Sequence, residues 1–170
     1  MSKKERLIRA IKHPRYFFSI ILCFFAHWIK NDEWYVKMRY RLYVGKRLNL
    51  DNPQTFNDKL NWLKLYDHNP LYTTMADKYA VKEFVAKVIG EQYIIPTIGC
   101  WDRPEDIDWN SLPNQFVLKC NHNSTVQICN DKSKLDISSI KKVLAKQLRT
   151  NYYYKDREWP YKNIKRKIIA

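Results

Sequence analysis

The chain has 170 residues, 45% hydrophobic and 15% aromatic, which excludes a disordered polypeptide and suits one domain with a real core, or one domain plus an appendage. Only three glycines occur (Gly45, Gly90, Gly99), and no internal repeat or low-complexity tract is present, so glycine-rich and repeat architectures are out. The formal net charge of +14 is uneven: residues 1–50 carry 12 Lys/Arg against 3 Asp/Glu, residues 51–154 carry 13 against 12, and residues 155–170 carry 6 against 2.

The basic first segment begins with Lys3 to Lys12, an amphipathic helix pattern that Pro14 interrupts. The apolar run Tyr16 to Ile29 follows. It has 14 residues, short of the roughly 20 that a spanning helix needs. Two readings fit it: an interfacial helix with Trp28 at headgroup depth between Arg15 and Lys30, or a helix buried against the globular part. No small-x-small cleavage pattern comes after it, so Cys23, Cys100, Cys120 and Cys129 read as reduced thiols in the cytoplasm. Trp34 to Leu50 interleaves aromatic residues with Lys37, Arg39, Arg41, Lys46 and Arg47. Without a nucleic-acid motif beside it, this reads as a solvated helix face with tyrosines packed inward.

Asp51 to Asp67 opens with turn chemistry. Thr55 is placed to cap a helix with Asp58 in its first turn, and Phe56, Leu60 and Leu63 share one face. Thr74 to Gly90 predicts a second helix, capped by Thr74, with Ala80/Val81, Phe84/Val85 and Val88/Ile89 as its buried stripe. Tyr93 to Ile95 and Ile98 to Trp101 are strand-like, and Asp102 to Asn114 is loop-like. Phe116 to Cys120 reads as a buried strand with Val126 to Cys129 as its hairpin partner. Ile137 to Thr150 is a basic helix, Asn151 to Asn163 is irregular, and Lys167 to Ala170 is again strand-like. The expected divisions are a basic leader, 1–50, a helical pre-domain, 51–115, and a nucleotide-binding lobe, 116–170.

The chemistry concentrates on Lys78, near a helix start, and Lys119, at the end of an apolar strand. An unpaired ammonium is costly to bury, so Lys119 either emerges into water or meets an anion. Two lysines from different elements with a polar loop over them make a phosphate clamp. Other constellations are weaker. Cys100, Cys120, His122 and Cys129 lack the Cys-x-x-Cys spacing of a zinc site. Cys120 next to His122 fits inert packing better than a thiol nucleophile. Glu105, Asp106 and Asp108 form a solvated acidic loop, and Arg157 and Glu158 read as surface charges.

The order Asp77-Lys78, YIIP (Tyr93 to Pro96), FVLK (Phe116 to Lys119) and CNHNST (Cys120 to Thr125) resembles the ATP-grasp superfamily. The stretches NPQTFNDKLNWLKLYD, DKYAVKEFV, LPNQFVLKCNHNS, DKSKLD and NYYYKDREWPYKNIKRKIIA resemble its TupA-like family, linked to teichuronopeptide and capsular polysaccharide synthesis. The resemblance implies an α/β fold, the amino-terminal portion of an ATP-grasp fold preceded by a basic helical leader. It implies ATP and Mg2+ as cofactors and carboxylate–amine or carboxylate–thiol ligation through an acyl phosphate. Lys78 and Lys119 would contact phosphate, with His122, Ser124 and Thr125 in a covering loop. The implied protein is cytoplasmic, or peripheral on the inner face of the plasma membrane, with an anionic membrane surface as a partner of residues 1–50 and nucleic acid not favoured. A polysaccharide-pathway glycosyltransferase and a non-catalytic membrane-surface or interaction remnant stay open as alternatives.

Two departures stand out. Thr125 occupies a position where the family usually has glycine, which suggests a loop needing positive φ. The family's adenine hinge and magnesium-binding residues follow the segment resembling Ile168 to Ala170. The chain is therefore expected to be a fragment, inactive alone and marginally stable, with Lys167 to Ala170 lacking strand neighbours.

Overall fold

The computed structural model describes residues 13–170; the helix expected over Lys3–Lys12 lies outside the described residues. The chain forms two compact units. One comprises the described residues up to His68 together with Tyr153–Trp159, the other Asn69–Tyr152 with Pro160–Ala170.

The first unit contains α1 (Pro14–Phe24), α2 (Asp32–Val44) and α3 (Phe56–Tyr66). Pro14 opens α1, because its missing N–H falls where a helix has no partner for one. α1 ends at Phe24, within the apolar run, and buries Ser19 and Leu22. The Asn31 side chain caps α2 by accepting from the Trp34 N–H, and Gly45 ends it at φ 79°, a left-handed conformation that suits glycine. Leu22, Ala26, Tyr35, Val36, Leu48 and Leu50 form the core. Of the tyrosines expected inward, Tyr35 is buried, Tyr40 half-buried and Tyr43 exposed. Two bases of α2 find acids outside the run Trp34 to Leu50: Arg39 pairs with Asp156 at 2.5 Å and Lys37 with Glu33 at 2.5 Å.

Thr55 and Asp58 form the expected capping box. The stripe of Phe56, Leu60 and Leu63 is exposed, however, with Phe56 at 79%. The reason is polar anchoring. The buried Asp58 carboxylate accepts from the backbone N–H of Asn49 and of Thr55, both at 3.1 Å, and from the Thr55 hydroxyl at 2.7 Å. That turns the Asp58 side of α3 inward, and Leu65, one heptad on, packs against the core.

Arg157 is not a surface charge. It is 1% exposed, follows the short helix α7 (Tyr152–Asp156), and ties the unit together. Its Nη2 donates to the carbonyls of Ala26 (2.8 Å) and Ile29 (2.7 Å), just past α1. Its Nε lies 2.6 Å from the Asp32 carboxylate at the start of α2, and Asp32 also accepts from the Tyr153 hydroxyl. The guanidinium stacks over the Tyr35 ring at 4.1 Å. The Tyr35 hydroxyl donates to the Lys155 carbonyl at 2.8 Å, and burial pushes its pKa up to about 12.

The second unit contains α4 (Leu71–Ala76), α5 (Ala80–Ile89), β1 (Cys100–Trp101), β2 (Phe116–Cys120), β3 (Val126–Cys129), α6 (Ile137–Arg149) and β4 (Ile168–Ile169). The helix expected over Thr74–Gly90 is broken at Asp77–Tyr79, so Thr74 lies inside α4 and caps nothing. The Asp77 carboxylate accepts from the N–H of Tyr79 (2.8 Å) and Ala80 (3.2 Å), starting α5 itself. The α5 stripe is half-buried at best, and Val88 and Ile89 are exposed. Tyr93 to Ile95 is no strand: Glu91–Tyr93 forms a 3-10 turn and Ile95 is exposed. The β2–β3 hairpin forms as expected, Phe116 facing Cys129 and Lys119 facing Val126.

All sheet pairings are antiparallel and the strand order is β1-β4-β2-β3. β4 therefore has a neighbour on each side, and Ile168 and Ile169 are buried at 0% and 2%. The expectation of an unpartnered Lys167 to Ala170 is overturned, because Cys100–Trp101 and Lys119–Cys120 supply the ladder. One sheet face packs Phe116, Leu118, Cys120, Cys129 and Ile168 against Leu144 of α6, Ile107 and Leu112. Among the described residues no helix is long and apolar enough to cross a membrane.

Candidate phosphate-binding site

Side chains alternate across a strand, so Phe116, Leu118 and Cys120 enter the core while Val117 and Lys119 take the opposite face. Lys119 sits there in register with Val126 on one side and Ile169 on the other. Val117, Val126 and Ile128 leave an exposed apolar shelf beside it.

Asn121 brings Lys78 to this strand. It is fully buried, and its side chain donates to the Asp77 carboxylate and the Lys165 carbonyl, both at 2.9 Å, and accepts from the Lys167 N–H at 2.8 Å. Its carbonyl accepts from the Lys78 N–H at 3.0 Å, and the Lys78 ammonium lies 3.4 Å from the same oxygen. One asparagine thus locks the Asp-Lys break between α4 and α5 to the end of β2. Lys82 joins from the first turn of α5, donating to the Ile95 carbonyl at 2.8 Å and the Thr97 hydroxyl at 2.7 Å. A groove of about 500 Å³ runs along α5 here, lined by Tyr79, Lys82, Glu83, Ile94, Pro96 and Thr97.

The electrostatics identify a cluster. Burial, and then the charge of Lys119, hold the Lys78 ammonium below its ordinary pKa. The same two causes, in the same order, lower that of Lys82. Among the described residues no carboxylate forms an ion pair with Lys78, Lys82 or Lys119. The Asp77 carboxylate, next in sequence to Lys78, offsets part of that repulsion on Lys78; a bound anion would relieve the rest, as in a phosphate cradle.

The segment after β2 starts buried rather than open: Asn121, His122 and Asn123 are all buried. The His122 ring points to α6, its Nε2 lying 3.0 Å from the Thr150 carbonyl and 3.2 Å from that of Gln147. Asn123 donates to the Gln147 side chain at 3.1 Å and accepts from the Thr125 N–H at 2.9 Å. Ser124 is exposed and Thr125 half-buried. Arg157 is the sole non-glycine with positive φ among the described residues, so Thr125 imposes no left-handed strain on the turn. The structure thus brings Lys78 and Lys119 together, adds Lys82, and turns His122 toward α6.

Burial pushes the Cys120 thiol up to about 11, leaving it an un-ionised packing group. Glu105, Asp106 and Asp108 are exposed, and Asp106 pairs with Arg103. Among the described residues no group of three His, Cys, Asp or Glu is placed to hold a metal ion, and no step is routed through one. Sequence reasoning missed Lys82 and Asn121. The four-residue spacing from Lys78 was a signal for Lys82; nothing local marked Asn121.

A lysine-bearing antiparallel sheet with an Asp-Lys segment fastened to its strand end is consistent with the nucleotide lobe of an ATP-grasp fold. The family model described as TupA-like ATPgrasp matches residues 58–170, and the chain belongs to that family. ATP-grasp proteins generally use ATP and Mg2+. No curated protein and no solved structure matches the chain.

Proposed function

We propose that Lys119, Lys78 and Lys82 hold the phosphates of ATP in a carboxylate–amine or carboxylate–thiol ligase of cell-surface polysaccharide synthesis. The observation that carries this reading is the convergence of three ammonium groups, none of which forms an ion pair among the described residues. ATP bound there would supply the phosphoryl group that activates a carboxylate. The lysines lower the negative charge on the phosphate oxygens, and Ser124 and Thr125 offer hydroxyl donors at the edge of the same turn. His122 acts on that turn from behind, through the α6 carbonyls it binds. The teichuronopeptide or capsular pathway is supported by the family alone. The basic excess of residues 1–50 supports attachment to an anionic membrane surface from the cytoplasmic side.

Calorimetry of ATP binding to the full chain is the test. Lys119→Ala is expected to weaken affinity by about tenfold to a hundredfold, the range of a charged hydrogen bond, and Lys119→Arg by less. Lys78→Ala should act in the same direction. Unchanged affinity in both alanine variants would sink the cradle.

A further inference from the structure

α1 is seated the wrong way round for a helix in water. The side it turns to the core carries Ser19 and Leu22, with Ala26 just beyond, while Phe17, Phe18, Ile21, Phe24, Phe25 and Trp28 are exposed. Spacings of three, four and seven put Phe17, Phe18, Ile21 and Phe24 on one stripe, and Phe25 and Trp28 extend it into the turn after α1. The five aromatic residues are 49% to 71% exposed. Phe24, Phe25 and Trp28 form a ring cluster on the surface, with centroids 5.2 to 6.2 Å apart. An apolar stripe of this kind marks a docking surface.

Charge selects the occupant. From Arg6 to Asn31 the sequence contains no Asp or Glu. Arg15, Lys30, Arg41, Lys46 and Arg47 form no ion pair among the described residues. Arg15 and Arg41 line one cavity of about 300 Å³ with Met38, Leu42 and Gly45, beside the start of α1. Aromatic rings on a short helix with unpaired bases around it match the acyl–headgroup boundary of an anionic bilayer. At 1.5 Å per residue α1 is about 16 Å long, so it lies in that boundary and does not cross it.

We propose that the Phe17–Phe18–Ile21–Phe24–Phe25–Trp28 stripe of α1 inserts into the interface of an anionic membrane, with Arg15, Lys30 and Arg41 meeting lipid phosphate. This rests on the membrane-surface reading of residues 1–50 and adds the face that enters the lipid. The test is sedimentation of the full chain with vesicles of phosphatidylcholine alone or mixed with phosphatidylglycerol, at low and high salt. Wild type is expected to bind the anionic vesicles, weaken with salt, and keep a salt-resistant fraction. The exposed-face variant Phe17→Ser/Phe24→Ser should bind about tenfold more weakly and lose that fraction. The difference in emission between wild type and Trp28→Phe should show a blue shift of Trp28 on binding.

Equal binding of both proteins with the same salt dependence overturns the stripe and leaves the charge reading standing. Equal binding to neutral and anionic vesicles overturns the charge reading and with it the anionic occupant; binding to neither overturns the stripe as well. A concentration-dependent dimer of wild type that the serine variant abolishes, without vesicle binding, assigns the stripe to a second copy of the chain and overturns the lipid.

Discussion

Arg157 shows how one side chain overrides a local rule. It closes α7 at φ 54°, with its N–H bonded to the Tyr153 carbonyl, a position usually given to glycine. The left-handed conformation costs roughly 1–2 kcal/mol for a residue with a Cβ. The fork of bonds to Ala26, Ile29 and Asp32, with the Tyr35 ring beneath it, offsets that cost. Arg157→Met keeps the length and loses the fork, leaving two carbonyls and a carboxylate without it. We expect a loss of about 3 kcal/mol in a urea titration, because removing one partner of a buried pair strands the other. Arg157→Lys should recover only part of it. A stability within error of wild type for Arg157→Met would mean that the ion pair is incidental. Nothing in the local sequence Asp156-Arg157-Glu158 reveals this role, since the bonded Ala26 lies 131 positions earlier. Lys119 was legible for the opposite reason: Phe-Val-Leu-Lys states its alternation in four adjacent residues.

At the scale of elements, hairpin and caps were legible because their determinants are contiguous. The β2–β3 pairing and the Thr55–Asp58 box follow from spacings of a few residues. The break between α4 and α5 was not legible, because a helical pattern runs through it and a carboxylate bonded to Asn121 decides against it. The apolar faces of α1 and α3 show a related limit: periodicity gives a face but not its direction, so interface and burial stayed open for α1 until the exposure of its rings was seen. The link between His122 and α6 yields a pH prediction. Its Nε2–H donates to carbonyls at the end of α6 while burial, opposed by those bonds, depresses its pKa below the ordinary value. The folded state therefore disfavours the imidazolium. As pH falls through about 6.5 the unfolded chain takes up a proton that the folded chain resists, so stability is fullest above that pH and declines below it. The urea midpoint should fall between pH 7.5 and pH 5.5, and His122→Asn should flatten that slope while lowering the plateau. An identical slope in the variant would assign the pH dependence elsewhere.

For the whole molecule, each compact unit is built from two separate stretches of chain. Residues 153–159 complete the first and residues 160–170 the second. A chain ending at Tyr152 lacks both Arg157 and β4. It is expected to lose near-ultraviolet circular dichroism and to become protease-sensitive within both units. Retention of the Tyr35 and Leu118 regions against protease would show that the early segments suffice. The marginal stability expected of an unpartnered Lys167 to Ala170 has lost its basis, since those residues sit inside a sheet.

That strand order also sets a timetable for the ribosome. β1 and β2 emerge early in synthesis, yet the strand that belongs between them is made some fifty residues after β2, as loop closure over such a distance permits at modest entropic cost. Until Ile168 and Ile169 leave the exit tunnel, the Cys100–Trp101 edge and the Lys119–Cys120 edge stand open to any passing strand. A nascent chain with a hairpin already formed beside a vacant slot is a client for a chaperone.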